Sequence, residues 1–307
     1  PRLLLQKIFF LMIRRPPRST QRASRRQRQM CIRDSDYADD VAILATSPTH
    51  LQAMLDAFSS KAAHLGLKIS GEKTKVMLTS CDTPAQFTVD GAPIETVTSF
   101  RYLGSEISNS GDASNEVSSR IARASAAFAM LNDCLWSNRR ISIKTKVAVY
   151  DASVRSVLLY GCETWPIRQS DVHQLGVFEQ RCWRRILRVS YRDHVTNDEV
   201  SRRFLHPVPL RRELRHRRLR WLGHVLRMPG GRLPLVTLSA RPPAAWRRPR
   251  GGVKTTWKRV ILAELEPLHG PLLYRDWRSH WVEHCSDMAQ DRRQWAAMVR
   301  DMIEAGD

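Results

Sequence analysis

Asp36-Tyr37-Ala38-Asp39-Asp40-Val41-Ala42-Ile43-Leu44 sets two adjacent carboxylates directly before a short apolar run. The run from Val41 reads as a buried strand leaving a polar turn. Adjacent aspartates are costly to hold together, because like charges repel and burial penalises both. A bound cation removes that cost. A strand-to-strand turn carrying Asp39 and Asp40 suits Mg²⁺, a hard ion that takes few protein ligands and binds substrate phosphates as well. An Asp-Asp pair is also at home in an exposed turn or a helix cap, so the dipeptide alone leaves both readings open.

Working outward, Ser47-Pro48 has the form of an N-cap followed by proline at the first helical position. Leu51, Met54, Leu55, Phe58, Ala62 and Leu65 then recur at helical spacing, and Gly66 closes the helix. Leu67-Lys68-Ile69 and Val76-Met77-Leu78-Thr79 read as strands around a polar turn that carries Lys73 and Lys75. Phe87-Thr88-Val89, Asp90-Gly91 and the run over 92–97 form a hairpin signature, and 100–107 reads as a further strand. After Gly111 the period changes to helical. Helices are expected around Val117 to Leu135, after Ser142, after Ser170, and from the capping box Thr196-Asn197-Asp198-Glu199. A basic helix follows over 209–228, then a Pro-, Gly- and Arg-rich linker over 229–256, then a helical tail carrying Trp257, Trp277, Trp281 and Trp295. The fold class is α+β: antiparallel strands with a helix up to about residue 110, all helix afterwards.

The net charge of +20 is unevenly spread: residues 1–35 carry +9, residues 202–259 carry +16, and the remainder sums to −5. Trp and Leu interleave with the arginines of the second block, a pattern of nucleic-acid surfaces that a solvated basic face can also produce. The six cysteines contain no CxxC pair, and His280, His284 and Cys285 lack an evident fourth zinc ligand. No apolar run reaches the roughly 20 residues that cross a bilayer. These features read as an intracellular chain, nuclear or cytoplasmic, not secreted, with no membrane partner.

The leader has its arginines after its apolar run, the reverse of a secretory signal. A mitochondrial transit peptide is one reading of an Arg-rich, acid-poor leader. The stretch Phe9-Phe10-Leu11-Met12-Ile13-Arg14-Arg15-Pro16-Pro17-Arg18-Ser19-Thr20, with Gln29-Met30-Cys31-Ile32-Arg33-Asp34-Ser35, instead resembles translated sequencing-adapter DNA. On that reading residues 1–35 are a non-native, disordered leader.

Three blocks carry a family resemblance in order and at fitting spacing. Tyr37-Ala38-Asp39-Asp40-Val41-Ala42-Ile43-Leu44 resembles the metal-binding hairpin of reverse transcriptases. The run Gly66-Leu67-Lys68-Ile69-Ser70-Gly71-Glu72-Lys73-Thr74-Lys75-Val76-Met77 looks like the next family block, and Phe100-Arg101-Tyr102-Leu103-Gly104 like the primer-grip hairpin. Leu159-Tyr160-Gly161-Cys162-Glu163-Thr164-Trp165, Arg184-Arg185-Ile186-Leu187 and Arg218-Leu219-Arg220-Trp221-Leu222-Gly223-His224-Val225 are similar to the C-terminal region of non-LTR (LINE-type) retrotransposon proteins. The resemblance implies an RNA-directed DNA polymerase. Asp39 and Asp40 would be catalytic and would ligate Mg²⁺ or Mn²⁺ in a two-metal arrangement that activates the primer hydroxyl and holds the leaving pyrophosphate. Lys73, with Lys75 as the other option, would help pyrophosphate depart. Tyr37 would lie near the primer terminus, and Phe100, Tyr102, Leu103 and Gly104 would hold the primer end while also packing. Partners would be an RNA template, a DNA primer duplex and deoxynucleoside triphosphates.

The family also uses a metal-binding aspartate upstream of Tyr-Ala-Asp-Asp, and nothing in residues 1–35 resembles that segment. The expectation is a fragment: a partial palm over 36–110, a helical thumb or connection over 111–228, the linker over 229–256 and a tail over 257–307, inactive alone. Arg211, Arg212, Arg215, Arg217, Arg218 and Arg220 outnumber what one helix pairs internally, so phosphate contact is their expected use. The alternative is a non-enzymatic nucleic-acid-binding protein derived from such an element.

Overall fold

The computed structural model describes residues 9–14, 34–37, 40–45, 47–78, 85–204, 209–240, 255–266 and 274–304, with backbone alone at 9–14, 34–37 and 274–280. The chain divides into two compact units, residues 1–111 with 229–252 and residues 112–228 with 253–307.

The first unit is built on a sheet with strand order β2-β3-β1-β4-β6-β5. Its strands are β1 (Phe9–Arg14), β2 (Asp34–Tyr37), β3 (Asp40–Ala45), β4 (Lys75–Leu78), β5 (Phe87–Val89) and β6 (Ala92–Val97). All neighbours are antiparallel except β4 and β6. One helix, α1 (Pro48–His64), covers one face. Ser47 caps it as expected, its Oγ accepting the His50 N–H at 3.2 Å. Leu51 and Leu55, one turn apart, are fully buried against Val41, Ile43 and Ala45, the alternate residues of β3. On β4, Val76 joins this core, whereas Met77, its neighbour in sequence, packs with Phe100. Successive strand residues point to opposite faces, so Met77 and Phe100 form a second, small cluster behind the sheet.

Several expectations need correction. Residues 1–35 are not structureless throughout: β1 pairs with both β3 and β4, and Asp34 and Ser35 lie in β2. The hexapeptide Phe-Phe-Leu-Met-Ile-Arg is apolar and strand-prone, and it satisfies the backbone groups that β3 and β4 would otherwise leave unpaired. Residues 1–8 and 15–33 lie outside the described residues. Leu67-Lys68-Ile69 is not a strand, because the Leu67 N–H returns to the Ala62 carbonyl at 2.9 Å and closes α1. Residues 100–107 are not one strand but a hairpin of β7 (Ser99–Tyr102) and β8 (Ser105–Ser108). Its turn places Leu103 at φ 48° and Gly104 at φ 83°, the double positive φ of a tight two-residue turn. The Asp90-Gly91 hairpin has the same character, with φ values of 50° and 79°.

The second unit is helical. It comprises α2 (Ser114–Met130), a π-helical turn at Asn132–Trp136, α3 (Ile143–Val149) running through a π-helical stretch Tyr150–Arg155 into α4 (Ser156–Leu158), α5 (Gln169–Leu187), α6 (Asn197–Arg203) and α7 (Leu210–Leu226). Leu233–Ser239, inside the expected linker and assigned to the first unit, is a helix (α8), while 241–254 lie outside the described residues. The tail forms α9 (Trp257–Leu265), α10 (Tyr274–Gln290) and α11 (Arg292–Glu304). Ser142 and Thr196 cap their helices as expected, accepting N–H groups at 3.1 and 3.3 Å. Helix α5 starts one residue before Ser170. Asp171, buried, accepts the Arg168 N–H at 2.8 Å and the Ser114 hydroxyl at 3.0 Å, so this carboxylate takes the role expected of Ser170.

Candidate active site and nucleic-acid interface

The β2–β3 hairpin pairs Tyr37 with Asp40, leaving Ala38 and Asp39 between them, outside the described residues. Asp40 is half-buried at the start of β3, followed at once by buried Val41. The register of β1 sets Arg14 opposite Asp40 and Met12 opposite Lys75. Both β3 and β4 run antiparallel to β1, so Asp40 and the start of β4 stand at one end of the sheet. The polar turn before β4 is therefore at that end too. It is held by Thr74, which is fully buried and donates through its hydroxyl to the Ser70 carbonyl at 2.7 Å. Lys73 is exposed on this turn, while Lys75 is tied to Glu95, its partner in register on β6. Of the two lysines, Lys73 is the one whose ammonium has no ion-pair partner among the described residues.

A divalent metal needs carboxylates from more than one direction to hold two ions a few ångströms apart. Here Asp39 and Asp40 are adjacent in sequence, and Asp40 opens β3. The strand beside them, β1, contains no Asp or Glu and ends in arginine. Among the described residues no three His, Cys, Asp or Glu side chains converge as a metal site. The described residues fit one edge of a two-metal centre and not the whole of it.

Phe100 is buried against Met77, and Tyr102 and Ile107 pack partly buried beside it. Leu103 is exposed at the tip, next to Gly104. The hairpin thus has a packed base and an exposed Leu103 at its tip.

The six arginines of α7 do not behave as one surface. Arg218 is buried and its guanidinium is bound to Glu264 on α9, with Nε at 3.0 and 3.3 Å from the two carboxylate oxygens. Arg215 donates to the Glu264 carbonyl at 2.8 Å. Arg217 pairs with Glu213 at 2.6 Å, and against the upward push of burial its bond and charge hold the Glu213 carboxyl below the usual range. For Arg215, Arg217 and Arg218 the expected excess over internal partners does not hold: Glu213 on α7 itself takes Arg217, while Glu264, which holds Arg215 and Arg218, arrives from a helix about fifty residues away in sequence, beyond the reach of a count along α7. Arg212 is half-buried. Arg211 and Arg220 are exposed, and Arg211 donates to Gln169.

The rest of α7 is equally structural. The indole N–H of Trp295 donates to the Leu219 carbonyl at 3.0 Å, and its ring lies where a Cβ on residue 223 would stand, 2.3 Å from Trp295 Nε1. Gly223 is what lets α11 lie against α7. Trp257 likewise donates to the Glu163 carbonyl at 2.7 Å, tying α9 to the Gly161-Cys162-Glu163 turn, where Gly161 has φ 73°. Cys162 is buried there and burial pushes its thiol up to about 12, so it packs as an apolar residue.

The sequence reading missed a second cationic group. Arg184, Arg185 and Arg188 at the end of α5 line a cavity of about 490 Å³ together with Trp136, Ser137 and Ser190. Their spacing on α5 is that of any basic helix face. Trp136 and Ser137 come from around a π-helical turn fifty residues earlier, so no sequence signal links them.

Residues 9–107 match the reverse transcriptase (RNA-dependent DNA polymerase) family. This segment resembles a reverse transcriptase domain. The match ends in β8, so it takes in every strand and α1, and it begins at β1, inside the stretch read from sequence as foreign. The chain is also 26% identical over 275 residues to an uncharacterized transposon-derived protein of Caenorhabditis elegans, covering 86% of this chain and 94% of that one. The reverse transcriptase family works with divalent metal ions and with nucleic-acid template, primer and nucleoside triphosphates. Among the described residues no helix is long and apolar enough to cross a membrane.

Proposed function

We propose that the chain is reverse-transcriptase sequence of a non-LTR retrotransposon, with the first unit as part of the palm and the second as a thumb-like region that handles the primer–template duplex. The observation that carries this is the sheet β2-β3-β1-β4, with the aspartate pair and the Lys73 turn at one end, inside a segment of that family. By family the chemistry is RNA-directed DNA polymerisation, for which bound Mg²⁺ or Mn²⁺ would supply charge neutralisation at the transferred phosphate. Asp39 and Asp40 would hold their share of the metal. Lys73 would stand ready to donate to departing pyrophosphate, and Phe100, Tyr102, Leu103 and Gly104 would hold the primer end, with Tyr37 nearby.

A second reading, a nucleic-acid-binding protein descended from such an element and without catalysis, is favoured by one observation: β1 brings Arg14 rather than a carboxylate into register with Asp40. Two measurements test the first reading. A primer with a photoreactive 3′ end, annealed to RNA, is expected to label Tyr37 or residues 100–104 of the purified chain. Failure to bind the hybrid, or labelling elsewhere, rejects the placement. Primer extension by this chain is expected to be absent with either metal. Template-directed incorporation that disappears in Asp39→Ala would show that the carboxylate set is complete after all.

A further inference from the structure

We propose that the cavity at the C-terminal end of α5 is a phosphate site, and that it takes a backbone phosphodiester of a bound nucleic-acid strand. The proposal rests on the nucleic-acid reading above and adds a place and a set of residues to it. Arg184, Arg185 and Arg188 line the cavity, and Lys146 adjoins it through Trp136.

Among the described residues, all four cations are held by neutral oxygens. Arg184 donates to the Val195 carbonyl at 2.9 Å and to Asn197 Oδ1 at 2.8 Å. Arg185 reaches Asn132 Oδ1 at 3.4 Å. Arg188 and Lys146 donate to the successive carbonyls of Ser137 and Trp136, the latter at 2.8 Å. Two carboxylates close in sequence to the lining are spent on neutral donors: Asp133 accepts the Asn132 amide at 2.7 Å, and Asp193 accepts the Ser190 N–H at 2.6 Å. The contrast with α7 is direct, since there Arg217 and Arg218 each have a carboxylate partner. Carbonyl dipoles fix the directions of guanidinium groups but leave the net charge in place. Lys146 registers the consequence: it is buried, and burial together with the charge of Arg188 lowers its pKa from the ordinary value.

Planar guanidinium forks favour phosphate and carboxylate oxygens that they can bind in pairs. The cavity has room for a phosphate with its flanking sugar. Its aromatic wall does not suit a base: Trp136 is only 1% exposed, its ring stacks on Phe128 at 5.0 Å, and its N–H is committed to the Phe128 carbonyl. A site with charge and no stacking platform reads backbone, not bases. Arg185 and Arg188 are exposed, so their counterions are free to be released by a strand.

The test uses the full chain and an RNA–DNA hybrid or a single strand, with affinity read by fluorescence anisotropy over a salt series. The double variant Arg185→Gln/Arg188→Gln is expected to bind about tenfold more weakly, with a log–log salt slope smaller by roughly 1, the loss of one phosphate contact. Arg181→Gln, exposed on the same helix but not lining the cavity, should leave both unchanged. Unaltered affinity and slope in a double variant that melts like wild type would overturn the proposal. Should Arg188→Gln disturb folding, Arg185→Gln alone decides, with an expected weakening of about threefold. Calorimetry with inorganic phosphate separates the sources: phosphate binding lost in the variant while strand binding persists unchanged would overturn the nucleic-acid assignment. A wild-type chain that binds no hybrid at all rejects the reverse-transcriptase placement itself, whereas binding that ignores the two arginines rejects only this site.

Discussion

Helix α7 and the end of α5 are both rich in arginine, and they use it in opposite ways. On α7 the charge is mostly consumed within the unit: Arg218 in a buried pair with Glu264, Arg217 in a half-buried pair with Glu213, Arg215 on a carbonyl. At the end of α5 the guanidinium groups rest on carbonyl and amide oxygens and face an open cavity. The difference teaches that a block of positive charge in a sequence marks where arginines are, not where they are unpaid. The arginines left to meet a polyanion are those that no carboxylate of the fold reaches.

The largest expected effect breaks this comparison on the α7 side. Arg218→Ala should cost about 3–5 kcal/mol of unfolding free energy, because it strands a buried Glu264 carboxylate. Arg188→Gln, by contrast, should cost less than about 1 kcal/mol, as an exposed side chain does. Urea denaturation of both variants checks the pair, and equal costs would mean that the two regions are built alike. Next in size is Gly223→Ala. Its new Cβ would overlap the Trp295 ring, so a loss of about 1–3 kcal/mol is expected in the same assay. A neutral result would mean that α7 is not the packing helix described above.

A smaller effect sharpens the comparison at the surface. Arg211 and Arg220 are the exposed members of the α7 row, and Arg211→Gln/Arg220→Gln should reduce the salt slope of duplex binding by at most about 2. A reduction near the slope expected for six phosphate contacts, roughly 5, would restore the whole row as an interface. The smallest effect lies in acid. Glu213 has its folded pKa held below the ordinary 4.5, so its pairing stabilises the fold above that value and is lost as pH falls through the folded pKa. Arg217→Gln should remove this acid limb, a change below about 1 kcal/mol, visible in melting temperatures measured from neutral pH to about pH 3. An unchanged acid limb would assign it to other carboxylates.

Much of the local structure was legible because it depends on near neighbours. Ser47 and Thr196 cap their helices through bonds three residues long, Asp90-Gly91 makes its own turn, and Leu51 and Leu55 share a face by spacing alone. The family resemblance was legible from three short blocks in order, the aspartate pair before an apolar strand being the first of them. Where a local rule had a competitor the reading failed: Leu67 spent its N–H on closing α1, and Asp171 capped the helix that Ser170 was expected to cap.

By itself, then, the sequence determined the α+β class, the change from strand to helix near residue 111, and the resemblance to reverse transcriptases that the Asp39-Asp40 pair and the blocks after it carry. Only the tertiary structure decided which strand lies beside that hairpin, that this strand is β1 with Arg14 in register with Asp40, and which arginines keep an uncompensated charge. The physical reason is range. Caps, turns and helical faces are set within a few residues, where the sequence can be read directly. Sheet neighbours and ion-pair partners are chosen by elements dozens of residues apart, and only folding brings Glu264 to Arg218 or Ser137 to Arg188.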